Sequence, residues 1–191
     1  MTPATVTTFP KPPPTPHPSR DHADAWAAAR LDEVRLLTDR VVGDGHHDAR
    51  WRSAAALRLA GLVLDGTVAV PAAVVRRLDA ALPTLLRSVD PAAAAPLTAL
   101  CAVLGDRLSK DVCPPLQDLT RRAVPPVAVA AHVASLLVEG LEPSTQHVAD
   151  LTAVADPDPD VLAAHRHGPG VERAAALAQA IALADHRARE A

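Results

Sequence analysis

Aromatic residues are nearly missing from this chain: two Trp, one Phe and no Tyr in 191 residues. Strands are built largely from β-branched and aromatic residues in period-two alternation. No such run exists beyond Thr67 to Val70, so a sheet is excluded and the expected class is all-α. Asn is absent, Ile occurs once (Ile181) and Lys twice (Lys11 and Lys110). These are residues of AT-rich codons, which points to a GC-rich bacterial genome and makes the abundance of Ala, Arg and Pro partly a matter of coding bias.

Other shortages exclude whole chemistries. With 8 Gly, most of them at helix ends, there is no phosphate-cradling Gly loop and no nucleophile elbow. Paired carboxylates on one helix face are missing as well. Cys101 and Cys113 lack the spacing of a zinc or redox motif and read as buried free thiols. The formal charge is −3 and the longest basic runs are the pairs Arg76-Arg77 and Arg121-Arg122, whereas nucleic-acid binding needs a concentrated cationic face. No apolar run approaches the ~20 residues that span a bilayer, and residues 1–19 hold no apolar core of a secretory signal. Neither nucleic acid nor membrane is therefore expected as a partner, and a cytoplasmic location is expected.

What is present is hydrophobic content of 49%, enough for one domain that closes on packing alone. Residues 1–19 carry seven prolines with little to bury, and read as a disordered proline-rich tail. Pro10, Pro13 and Pro16 have the spacing of a polyproline ligand, although plain extension accounts for it. Residues 20–191 read as an all-α helical domain of about eight helices. The first is expected over Arg20 to Val42, capped by Ser19 and stopped by Gly43. Its apolar stripe is Ala23, Ala27, Leu31, Val34, Leu37 and Val41, with Trp26 on the same flank and Asp32, Glu33, Arg35, Asp39 and Arg40 opposite.

The second helix follows an Asp48 cap and runs through Trp51, Ala55, Leu59 and Leu62 to Gly66. Beyond it, Pro71, Pro91, Pro114, Pro125 and Pro159 stand where helices begin, because a first turn needs no N–H from them. Pro83 and Pro96 fall inside helical stretches and predict breaks or kinks. Val127 to Val138 is expected to be the most buried helix, with His132 and Ser135 on one narrow face. A last helix starts near Gly170.

Asp48, Trp51, Arg52, Ala55, Ala56, Leu59 and Leu62 resemble the second helix of a HEAT-type repeat, with Trp51 in place of the usual Val. A partial echo runs through Asp158, Val161 and Leu162. The resemblance implies a short helical solenoid whose exposed surface binds proteins or peptides; the uneven spacing of helix starts leaves an irregular bundle as the alternative. His22 followed by His47-Asp48 resembles the HD-type metal-dependent phosphohydrolases. That resemblance implies a metal held by His22, His47, Asp48 and one of Asp65, Asp106 or Asp111. Against it, His47-Asp48 follows a Gly-containing link, and Asp48 is committed to capping.

Several other polar residues have ordinary roles. His165-Arg166-His167 sits favourably at a helix C-terminus, and Asp156, Asp158 and Asp160 lack the Gly and Glu of a calcium loop. His132 reads as a core histidine bonded to a backbone carbonyl, or as one lining an interhelix groove. The functional expectation is a non-catalytic adaptor, with no cofactor, that binds a protein through a helix-lined groove. Its candidate residues are Arg50, Trp51, Arg52 and Arg58. Packing within the core is the ordinary alternative for both tryptophans. The competing expectation is a small metal-dependent hydrolase using His22, His47 and Asp48.

Overall fold

The computed structural model describes residues 20–43, 49–64, 69–141 and 143–144. Among these residues there are six α-helices and three 3₁₀ turns, and no strand. The helices are α1 (Arg20–Val42), α2 (Ala49–Leu64), α3 (Ala72–Ser88), α4 (Ala95–Leu104), α5 (Cys113–Arg122) and α6 (Pro125–Val138). The helices expected after Pro159 and Gly170 lie outside the described residues, as does the proline-rich tail.

The helices pack in two rows. Along one, α2 lies against α4 and α4 against α6; along the other, α1 touches α3 and α3 touches α5. The rows are joined by α1 on α2 and by α5 on α6, while α3 and α4 meet only lightly. At the centre is α4, in which every residue except Val103 is buried. It can be this deep because Ala95, Ala99 and Ala102 let its neighbours approach closely, and because its one hydroxyl, on Thr98, donates to the carbonyl of Ala94 at 2.9 Å. The expectation that Val127 to Val138 would be the most buried stretch is corrected accordingly. In α6, His132 is exposed and Ala128, Val129 and Leu136 are half-buried.

Proline placement explains most helix starts. Pro71 precedes α3, Pro91 opens a 3₁₀ turn, and α4, α5 and α6 each carry Pro in their first two positions. Pro96 thus begins a helix instead of breaking one: Asp90 caps the turn at Pro91–Ala93 by accepting from the Ala92 amide at 2.9 Å, and α4 starts afresh behind it. Pro83 does lie inside α3, which continues to Ser88 without a break. The stripe Val74, Val75, Leu78, Leu82 and Leu86 is buried along that whole length, so tertiary burial outweighs the lost backbone bond. α3 is further tied down where the Asp79 carboxylate accepts from the Ser109 amide at 2.7 Å. Just ahead of α3, Arg107 donates to the Val70 carbonyl at 2.6 Å.

α1 ends as expected at Gly43, whose N–H reaches the Asp39 carbonyl at 2.8 Å. A Cβ there would sit 2.7 Å from the same oxygen, so only Gly closes this end of the helix. α1 packs on α2, and Arg58, nine residues past the start of α2, pairs with Glu33, nine residues before the end of α1, which is the register of an antiparallel pair. With 23 residues, α1 is about 34 Å long, against about 24 Å for the 16 residues of α2. The first turns of α1 therefore extend past its partner. Ala25 to Ala29, Trp26 included, are all exposed, although the stripe counted along the helix assigns some of them to the core.

Candidate functional site

Neither tryptophan packs in the interior. Trp51 is 62% exposed and Trp26 48%, which corrects the reading that both fill the core. Trp26 lies on the overhang of α1. Trp51 stands in the first turn of α2, beyond the arc occupied by Ala55, Ala56, Leu59, Ala60 and Leu62, all buried. The exposed arc of α2 carries Arg50, Trp51 and Arg58, with Ala54 and Gly61 half-exposed between them. Trp51 and Arg58 are seven residues apart, within about 20° of each other around the helix.

Along the seam between α1 and α2, charged and aromatic groups form a chain. Arg58 Nε donates to Glu33 Oε1 at 2.9 Å and Arg30 Nη1 donates to Glu33 Oε2 at 2.8 Å. The Arg30 guanidinium in turn lies over the Trp26 ring, 5.1 Å from its centroid. The hydrogen bond from Arg58, then that from Arg30, holds the Glu33 carboxyl below its ordinary range, with burial opposing. Glu33 is thus half-buried at a helix seam and not on the solvated side expected for it. The seam leaves a net positive edge, because two arginines share one carboxylate and α2 itself bears no acid.

The four candidate residues do not share a face. Arg52 lies roughly 100° around the helix from Trp51, in the register of Ala56 and Leu59. It is half-buried, and lines a cavity bounded by α2, α3 and α4. The side chain breaks the apolar pattern of the core arc at its first position, and that break was the signal available in the sequence.

Of the metal-ligand candidates, His47, Asp48 and Asp65 lie outside the described residues. The side chain of His22 is likewise not described. Asp106 and Asp111 are exposed, on 3₁₀ turns after α4. Among the described residues, no group of three His, Cys, Asp or Glu side chains could hold a metal ion. His132 is exposed while Ser135 is buried, so the boundary of the core runs between them and the core-histidine reading is corrected. Both thiols are buried, as expected. Burial pushes both above their ordinary range, so neither is poised as a nucleophile. His165 to His167 and Asp156 to Asp160 are outside the described residues. No helix among the described residues is long and apolar enough to cross a membrane.

No protein-family model, no curated protein and no solved structure matches this chain.

Proposed function

We propose that this chain is a non-catalytic protein-interaction module that engages a protein partner along the outer edge of α1 and α2, with Trp51 as the anchor and Arg50 and Arg58 beside it. The observation that carries this reading is the exposure of Trp51. A chain so poor in large side chains leaves its tryptophans in water while Ala, Val and Leu fill its core. Tryptophan and arginine are the residues that most often dominate binding energy once a partner covers them. Arg58 is already oriented by Glu33, so less freedom is lost when it docks.

The finer architectural reading is a short HEAT-like stack of helix pairs, α1 with α2, α3 with α4, and α5 with α6. Support comes from the two rows, in which each even-numbered helix packs on the next even one and each odd-numbered helix on the next odd one. The slight contact between α3 and α4 is the departure from that scheme.

The experiment uses the full chain and its Trp51→Ala variant as baits in extract of the native host. A companion held by the full chain, and lost from the variant while its melting temperature is unchanged, is the expected result. Identical companions on both baits would overturn the assignment of Trp51, and a chain with no specific companion would overturn the function.

A further inference from the structure

We infer that the partner segment received by the α1–α2 edge is an amphipathic helix, with a large apolar side chain at each end of about four turns and a carboxylate midway between them. The inference rests on the protein-binding reading above and names what that surface takes. Trp26 and Trp51, both exposed, are the two ends of one line. Trp26 and Glu33 are seven residues apart on α1, as Trp51 and Arg58 are on α2, so each pair lies within about 20° around its own helix. The bond from Arg58 to Glu33 at 2.9 Å joins the pairs across the seam. Arg30 fills the interval toward Trp26, bonding Glu33 at 2.8 Å and lying over the indole ring. All five side chains therefore sit on one side of the helix pair. Because α1 and α2 are antiparallel, the two steps add: Trp26 and Trp51 each stand about 10.5 Å along the axis from the Arg58–Glu33 bond, in opposite directions. The indoles are thus about 21 Å apart, the length of fourteen helical residues.

That spacing fits a helix. Two heptads return to nearly the same face, so one helix lying along the groove between α1 and α2 meets both indoles with side chains fourteen residues apart. An extended segment would need a strand edge to take its amides, and the described residues contain no strand. A helix satisfies its own amides. The ends of the line call for apolar side chains, since an exposed indole gains most when a partner covers it. The middle calls for an acid. Arg30 and Arg58 share the single carboxylate of Glu33, and Arg58, with 54% of its side chain exposed, is the more open of the two. A second carboxylate arriving there balances the remaining positive charge, whereas a cation would face two guanidiniums.

The test follows the two indole N–H signals by NMR in the full ¹⁵N-labelled chain, assigned by their loss in Trp26→Phe and Trp51→Phe. The probe is a helical peptide of alanine and glutamine with two Leu fourteen residues apart and one Glu midway; its counterpart has Lys in place of that Glu. Both indole signals should move together with one midpoint, and the Lys peptide should need at least threefold more. Arg58→Glu should reverse that preference, and Arg58→Gln, which adds no repulsion to the seam, should level it. Movement of only one indole, or two different midpoints, overturns the single line. An equal response to the Glu and Lys peptides overturns the carboxylate, and no saturable response to either overturns the whole proposal. A peptide of residues 1–19 of this chain, or an oligothymidylate, acting at lower concentration than the Glu peptide overturns the helical class. Movement of both signals on concentrating the chain alone assigns the surface to a second copy and overturns it as well. Host companions lost from Trp51→Ala but kept by Trp26→Ala and Arg58→Gln overturn the acid-bearing helix and leave the protein-binding reading standing. A Glu-preferring response with no companion in host extract removes that reading and leaves the chemistry of the surface intact.

Discussion

The middle of α4 and the outer edge of α2 are built from opposite materials. In α4, small and branched apolar residues are closed off from water, and the one hydroxyl is satisfied within its own helix. On α2, the surface holds tryptophan and arginine, the largest side chains the sequence owns. A core of Ala, Val and Leu brings helix axes close together and leaves no room for an indole, so large groups are displaced to the rim. Stability resides in the first region, the surface proposed for recognition lies on the second, and substitutions should separate the two.

The largest effect is expected in α4. Leu100 is fully buried, and Leu100→Ala should cost about 2–5 kcal/mol in urea unfolding without changing what the α2 edge can bind in the protein that remains folded. Next is Gly43→Ala, which drives a Cβ against the Asp39 carbonyl and should cost about 1–3 kcal/mol, read as a lower melting temperature and less helical circular dichroism.

The seam comes third. The carboxyl of Glu33 is depressed in the folded chain, so its stabilisation is complete above the unfolded value of about 4.3 and is lost as pH falls through the lower folded value. Glu33 and Arg30 are about 30% exposed and Arg58 is 54% exposed, which limits the worth of the network to under about 1 kcal/mol. Between about pH 6 and about pH 3 the melting temperature should therefore fall slightly more for the native chain than for Glu33→Gln. Smallest of all should be Trp51→Ala, within about 0.5 kcal/mol of the native stability. A loss comparable with that of Leu100→Ala would erase the contrast between the two regions.

Much of the helix layout was legible in the residues. α1 runs over the span that its apolar period and Gly43 define, and α2 over nearly the span that its stripe defines, because both signals are local. Pro83 does not break α3, because the five buried side chains of that helix hold it in place on both sides of the proline, and their burial is not displayed by the local sequence. The tryptophans were misplaced for a related reason: periodicity gives the side of a helix, but not whether a neighbour is long enough to cover it. Trp26 falls where α1 outruns α2, and no count along α1 reveals the length of its partner. Arg52 was grouped with Trp51 by adjacency, whereas the register of α2 sends them to different sides.

The exposed placement of both indoles also sets what light can report. With no tyrosine in the chain, near-ultraviolet emission comes from two fluorophores that are largely hydrated before unfolding begins. Melting the helices should scarcely change their colour, whereas a partner closing over Trp51 should shift it to the blue, so that the protein carries a built-in dye for association and almost none for folding.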